Sequence, residues 1–173
     1  MKILEEIRNW EGKSKELIVK LSKEAREKPK LLEQVEEGLK EGSKVEKGIC
    51  AEVMEYVSKD KPELVKPYIV TVIDYLDFDA SRVKWEASRV IGNISKISPD
   101  KVTEAIPKLM VNTKDKSTVV RWSTAFALTE IAKNNSNIRN ELVSKFREII
   151  KKENNNGVKN VYLKFLKKID NEK

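Results

Sequence analysis

The chain of 173 residues contains no histidine and only one cysteine. Without histidine there can be no Ser–His or Cys–His nucleophile pair, no histidine general base and few of the usual zinc or iron sites. The single cysteine, Cys50, excludes an intrachain disulfide and is typical of a reducing compartment. These absences predict a protein that is not an enzyme and that holds no cofactor or metal.

Glycine and proline are also scarce, at six and five residues, which leaves little material for the turns of an all-β fold. The sequence has no run of about 18 apolar residues, so no membrane span is expected. The first ten residues carry charges throughout, where a signal peptide would carry an apolar run. We therefore expect a soluble, cytoplasmic protein whose oligomeric state the sequence leaves open.

Positive charge is concentrated near the C-terminal end of the chain. Residues 1–43 hold ten Lys/Arg and ten Glu, and residues 44–98 hold nine basic and nine acidic residues. Residues 99–173 hold sixteen basic and nine acidic residues, so they carry the entire net charge of +7. This asymmetry favours a nucleic acid or another polyanion near the C-terminal end; a solvated, lysine-rich repeat would show the same pattern.

Apolar residues recur at i, i+3, i+4 and i+7 throughout, which predicts helices and no strand. Breaks at Gly42-Ser43, Ser98-Pro99-Asp100 and Asn154 to Gly157 help to divide the chain into ten helices. The ten helices form five pairs within a single domain that spans residues 1–173. The predicted pairs cover residues 2–27, 29–58, 61–97, 99–134 and 137–170.

Two helical stretches are near-copies of each other and indicate internal repetition. They begin at Val83 and Val120, 37 residues apart, and each starts with valine, a basic residue and tryptophan. One amphipathic hairpin cannot bury its whole apolar surface, so neighbouring pairs must stack and close one another's cores. The aliphatic positions of the second helices keep nearly the same spacing: Val53, Met54, Val57; Val90, Ile91, Ile94; Ala127, Leu128, Ile131; Phe165, Leu166, Ile169.

This pattern resembles the HEAT repeat over roughly residues 61–170. The shared features are the Val-Lys/Arg opening of the second helix, a small residue four positions after that valine, and the paired aliphatic residues beyond it. Pro67 and Pro107 in the first helices also match. The HEAT family also links an inter-helix carboxylate to the basic residue of the next helix. The matching residues are the carboxylates Asp77, Asp115 and Glu153 and the basic residues Lys84, Arg121 and Lys159, with Glu46 near the basic position of the preceding repeat. The resemblance implies an all-α fold, a right-handed α–α superhelix of about five antiparallel helix pairs.

In such solenoids the second helices line the concave surface, so their outward positions are candidate partner-binding residues. A helical projection places two tryptophans at equivalent outward positions, and at least one should stay exposed. Gly92 would leave a gap that a ligand could approach. Alternatively, each indole folds over the next helix and seals the layer. The candidate partner-binding residues are Trp85, Arg89, Lys96, Trp122, Phe126, Lys133, Lys164 and Lys167.

The sequence therefore predicts a non-enzymatic HEAT-repeat binding or scaffold protein whose partner is another protein. The alternative is a nucleic-acid-binding protein related to the HEAT-like DNA alkylation-repair proteins, since aromatics among Arg and Lys can stack bases and pair phosphates. The repair glycosylases of that group use an aspartate near the base. Here Arg89 or Phe126 follows each tryptophan by one turn, which argues against the same catalysis. We expect Cys50 to be a packed, inert thiol.

Overall fold

The computed structural model describes residues 2–172, and within that range it consists of helices and connecting turns without any strand. The α-helices are α1 (Lys2–Arg8), α2 (Ser14–Glu27), α3 (Leu31–Glu41), α4 (Lys44–Asp60), α5 (Pro62–Val65), α6 (Ile69–Asp74), α7 (Ser81–Ile94), α8 (Ile106–Asn112), α9 (Thr118–Asn134), α10 (Ser136–Lys152) and α11 (Asn156–Asn171). Three 3-10 segments lie at Lys66–Tyr68, Tyr75–Asp77 and Lys101–Ala105. Over residues 2–172, no helix is long and apolar enough to cross a membrane.

Side-chain caps fix the starts of several second helices. Ser43 and Glu46 form a reciprocal capping box at the start of α4, which satisfies two backbone N–H groups that the first turn leaves free. Ser117 accepts from the Val120 N–H at the start of α9. At the start of α2, by contrast, no side-chain cap is formed, and Ser14 is the first residue of the helix.

Two of the predicted first helices are interrupted. The helix expected over the start of the third pair is divided into α5 and α6 by a 3-10 turn that contains Pro67. Pro107 lies at the start of α8, so the preceding residues form a 3-10 segment rather than more α-helix. Proline has no N–H to donate and clashes with the preceding turn, which disfavours a continuous α-helix through either position.

The helices form two layers. The second helices of the pairs lie side by side in the order α2, α4, α7, α9 and α11, and each packs against its neighbours in that order. The first helices form the other layer, and each pair is antiparallel because its connection is a short turn. Since each pair contacts mainly the next, the core continues from one pair to the next along the stack. The predicted all-α solenoid is confirmed.

The aliphatic positions that repeat along the sequence form this core. In α4, α7 and α9 all of them are buried, and Ile91 and Leu128 are fully inaccessible to solvent. In the terminal helix α11, Phe165 and Leu166 are buried while Ile169 is only partly so. Ile169 is less buried because α11 is the last helix of the described range, and no later helix within residues 2–172 packs over it.

Cys50 is packed in this core as predicted. It is buried, and a Cβ at Gly38 would lie 2.7 Å from its Sγ atom, so the glycine lets α3 approach α4 closely. Burial first, and the nearby Glu46 carboxylate second, raise the pKa of the Cys50 thiol to about 12. The thiol is therefore protonated at neutral pH and is a poor nucleophile.

Ion pairs link successive repeats at the N-terminal ends of the second helices. Lys84 Nζ lies 2.9 Å from Asp115 Oδ2, and Arg121 Nε lies 2.9 Å from Glu153 Oε2. Each basic residue reaches the carboxylate of the following repeat, so the prediction that it pairs with the turn just before its own helix was wrong. Arg121 does contact that turn, but through the Asp115 carbonyl oxygen, which accepts a hydrogen bond of 2.9 Å. We call these two pairs the ion-pair ladder.

The same basic position in the preceding repeat belongs to Lys47, the residue directly after Glu46. Lys47 lies 37 residues before Lys84 and donates to two backbone carbonyls at the end of α3. Its Nζ atom lies 5.2 Å from the ring centroid of Tyr75 and 5.5 Å from that of Phe78. Cation–π contacts thus take the place of the ion pair in this repeat.

Neutral hydrogen bonds link the repeats at the C-terminal ends of the second helices. Asn93 Nδ2 donates to Ser58 Oγ at 2.9 Å, and Asn134 Nδ2 donates to Ser95 Oγ at 3.0 Å. At the C-terminal ends of α2 and α4, by contrast, an ion pair of 3.1 Å joins Arg26 to Asp60. Uncharged groups therefore link the C-terminal ends only in the later repeats, from α4 to α9.

Candidate partner-binding face

The exposed sides of α4, α7, α9 and α11 form one surface, which we call the second-helix face. Seven of the eight candidate residues lie on α7, α9 and α11, and Lys96 lies in the turn that follows α7. Trp122 is exposed over 39% of its surface, while Trp85, Arg89 and Phe126 are half-buried. The remaining candidates, all exposed, are Lys96, Lys133, Lys164 and Lys167.

The structure brings two of the other candidates, Phe126 and Arg89, together around Trp122. The ring of Phe126 is nearly parallel to the indole, at an angle of 8° and a centroid distance of 6.2 Å. The guanidinium carbon of Arg89, on the neighbouring helix, lies 5.5 Å from the indole centroid. Arg89 Nε also donates to Ser123 Oγ at 3.2 Å. The exposed tryptophan is thus held in one orientation by contacts from two helices.

Gly92 does not leave an open gap on this face. A Cβ added at Gly92 would lie 2.5 Å from Cε1 of Phe126, so the phenyl ring occupies the space that the glycine leaves. The expectation that a ligand could approach the backbone there was wrong. The physical reason is that Phe126, although on the outward side of α9, leans across onto α7 and fills the notch itself.

Trp85 has a different environment from Trp122. Its Nε1 atom donates a hydrogen bond of 2.7 Å to Oε1 of the adjacent Glu86. Glu86 is only 4% exposed, and its second oxygen, Oε2, is buried without a hydrogen-bond partner among residues 2–172. A buried carboxylate oxygen without a donor is costly, so Glu86 stands out from the other acidic residues of this face.

The surroundings of Glu86 favour its neutral form. Burial is the largest influence and raises the pKa of Glu86, the Trp85 hydrogen bond and Arg89 oppose the rise, and the carboxylates of Glu52 and Glu55 add to it. The resulting pKa is about 7. Near neutral pH the carboxyl group of Glu86 therefore gains or loses a proton readily. When it is protonated, the group can also donate a hydrogen bond.

Replacing Glu86 by glutamine should stabilise the fold at high pH. The folded-state pKa of about 7 exceeds the ordinary glutamate value of 4.5, so stability falls as pH rises from about 4.5 through 7 and stays low above it. Glu86→Gln removes that penalty and should raise the free energy of unfolding at about pH 8 by about 1–3 kcal/mol. Near pH 4 the two proteins should differ little. Urea titrations at both pH values measure the difference.

Glu63→Gln is the matched control for this experiment, because it removes a carboxylate from an exposed position. A stabilisation of Glu86→Gln that is equal at both pH values would contradict the assignment, since the penalty arises only when the buried group ionises.

The exposed lysines are not part of the Trp122 cluster. Lys133 forms a 3.6 Å ion pair with Glu130 on its own helix, which is an ordinary surface contact. Lys164 and Lys167 lie on α11, where they add positive charge at one end of the face. The structure therefore resolves the candidates into a central aromatic cluster and a lysine-bearing end.

Sequence reasoning missed Ser123, which accepts a hydrogen bond from Arg89 in the Trp122 cluster, and Glu86, which accepts one from Trp85. A signal was present, because the positions equivalent to Glu86 in the neighbouring repeats are Ile49 and Ser123. A carboxylate where the repeats otherwise carry an aliphatic or a small residue is unusual for a position that faces the core. That departure from the repeat would have identified Glu86 before the structure did.

Two layers of antiparallel helices, joined into one continuous core, define a HEAT/armadillo-like helical repeat solenoid. Three solved structures share this fold. The first is an engineered protein (TM-score 0.69, 18% identity), whose match covers 81% of this chain and 38% of that protein. The second is a designed armadillo repeat protein in complex with the peptide (KR)4 (TM-score 0.65, 18% identity), whose match covers 86% of this chain and 72% of that protein.

The third is another designed armadillo repeat protein (TM-score 0.63, 20% identity), whose match covers 79% of this chain and 63% of that protein. No protein-family model matches the sequence, and no curated protein sequence matches it either. This chain spans well under half the length of the first similar structure. At these identities the likenesses show the fold, and the function must be argued from the site.

Proposed function

We propose that this chain is a non-enzymatic binding or scaffold protein that holds a segment of a partner protein against the second-helix face. The observation that carries the proposal is Trp122, which is 39% exposed yet fixed in orientation by Arg89 and Phe126. Tryptophan and arginine are the residues that most often dominate binding energy at protein interfaces. Fixing them before binding lowers the entropy lost on association.

The fold supports a peptide segment as the bound element. One of the similar structures is a designed armadillo repeat protein in complex with a peptide, which supports a peptide segment as a ligand for this arrangement of helices. On the second-helix face, Trp122 offers an apolar surface beside the guanidinium donors of Arg89. A partner segment can carry an apolar side chain next to a backbone carbonyl or a carboxylate. Such a segment would cover the indole of Trp122 and accept hydrogen bonds from Arg89 at the same time.

Trp122→Ala should weaken partner binding strongly while changing stability little. Peptides selected from a random display library for binding to the intact chain should bind the variant at least about tenfold more weakly, the loss typical of an interface hot spot. Fluorescence anisotropy with each selected peptide gives the affinity. Trp10→Ala is the matched control, because it removes a partly buried indole near the other end of the chain and should leave affinity unchanged.

Selected peptides that bind both variants as tightly as the wild type would contradict the proposed site. Retention of a single-stranded oligonucleotide in a gel shift, abolished by Lys164→Glu with Lys167→Glu, would instead favour the nucleic-acid alternative. For a protein partner, the same two reversals should mainly slow association, and more so at low salt, because both lysines are exposed.

A further inference from the structure

A second surface lies between the first helices of the last two pairs. The C-terminal part of α8 and the turn after it face the C-terminal part of α10 across a groove with a volume of about 1170 Å³. We call it the α8–α10 groove. It contains none of the eight candidate residues of the second-helix face.

The groove exists because α8 and α10 are unlike each other. The helix α8 has seven residues and follows a 3-10 segment, whereas α10 is a continuous helix of seventeen residues. Their facing sides leave Val111 exposed over 70% of its surface, with Met110 and Ile149 only partly buried. The groove therefore has an apolar floor that the stack itself does not cover.

The rim of the groove carries uncompensated positive charge. Lys84 and Arg121 are neutralised within the ion-pair ladder. Lys114, Lys116 and Lys152 also line the groove, are exposed, and form no ion pair within residues 2–172. Part of the positive excess of residues 99–173 is thus concentrated around one apolar strip.

The chemistry of the groove favours an acidic protein segment over a nucleic acid. Among the residues that line it none is aromatic, whereas binding of single strands normally relies on aromatic rings that stack the bases. Apolar side chains of a partner would cover the apolar floor, and carboxylates of the same partner would neutralise the lysines of the rim.

We propose that the α8–α10 groove binds an acidic amphipathic segment of a partner protein. Its apolar side chains cover Met110, Val111 and Ile149, and its carboxylates pair with the three free lysines of the rim. Because the lysines are exposed, these pairs act mainly through charge attraction, which makes the binding sensitive to salt. The binding is independent of Trp122, since the two surfaces share no residue.

The probe is a fluorescein-labelled amphipathic peptide of about 15 residues, long enough to form a helix, with Leu along one face and Glu along the other. Fluorescence anisotropy should show saturable binding that weakens as salt is added. The triple variant Lys114→Glu, Lys116→Glu, Lys152→Glu should bind at least about tenfold more weakly at low salt. Trp122→Ala should bind like the wild type, which separates this groove from the second-helix face.

The triple variant Lys15→Glu, Lys28→Glu, Lys30→Glu is the matched control. It makes the same change in net charge at exposed positions near the other end of the chain, and its affinity should fall by no more than about threefold. An equal loss in both triple variants would overturn the proposal, since binding would then follow net charge alone. Displacement of the peptide by a thymidine oligonucleotide of similar length at lower concentration would overturn it as well.

The apolar floor has its own pair of variants. Val111→Ser should weaken peptide binding by about threefold through the loss of buried methyl groups. Val70→Ser, at a valine that is 54% exposed and outside the groove, should have no effect. Equal affinities of the two valine variants would show that the peptide does not touch the floor and would contradict the proposed mode of binding.

Discussion

Leu128→Ala should lower the free energy of unfolding by about 2–5 kcal/mol, as expected for truncation of a fully buried leucine. Leu128 is inaccessible to solvent, as is Ile91 at the equivalent position of the preceding repeat. Both side chains lie in helices that pack against two neighbouring second helices. These neighbours hold the helix in place, so the structure cannot easily collapse into the cavity that the truncation leaves. Ile91→Ala should therefore cost a similar amount.

Urea denaturation followed by far-ultraviolet circular dichroism measures both losses. Val119→Ala is the control in the same helix as Leu128, because Val119 is 42% exposed and its truncation should cost less than about 1 kcal/mol. If Leu128→Ala were no more destabilising than Val119→Ala, the burial of the repeating aliphatic positions would not be the source of stability of this stack.

Arg121→Gln should destabilise the fold by about 2–4 kcal/mol at neutral pH, since it leaves the buried carboxylate of Glu153 without its cation. Burial alone would raise the pKa of Glu153, but hydrogen bonds from Arg121 and from the Asn155 N–H outweigh it and hold that pKa below its usual value. The stabilisation is therefore present above the unfolded-state pKa and is lost as pH falls through the folded-state pKa. The loss of stability caused by Arg121→Gln should therefore be smaller in acid, where Glu153 is protonated.

Lys101→Gln is the matched control for the ladder. The ion pair between Lys101 and Glu104 has the same 2.9 Å separation as that between Arg121 and Glu153, but both of its side chains are about half exposed. Its removal should cost no more than about 1 kcal/mol, because solvent screens such pairs. Equal losses in the two variants, measured by urea denaturation at neutral pH, would show that the ladder contributes no more than a surface pair.

The repeat period was enough to predict the layers and the buried aliphatic positions. A helical period in the sequence identifies the inward side of each helix, and Leu128 and Ile91 follow from it directly. The breaks in the first helices were missed because Pro67 and Pro107 were interpreted as part of continuous helices. Sequence spacing alone could not decide whether Arg121 pairs with Asp115 or Glu153, since both carboxylates lie within reach of its side chain in a stacked repeat.

The candidate site was predicted in part. Trp122 was expected on the outward side of its helix, and that side was determined by the period. The contact between Phe126 and Gly92 could not be predicted, since it depends on how closely two helices approach and how one ring turns. Glu86 was missed because a helical projection shows only on which side of its own helix a residue lies. The burial of this carboxylate depends on the neighbouring helices, which the projection does not include.

The links between repeats should respond differently to acid. The pairs of the ion-pair ladder need ionised carboxylates, and the pKa values of Asp115 and Glu153 are held below their usual values. The Asn–Ser hydrogen bonds contain no group that gains a proton in this range. Strong acid should therefore remove the ladder by protonating its carboxylates while it leaves the Asn–Ser links in place.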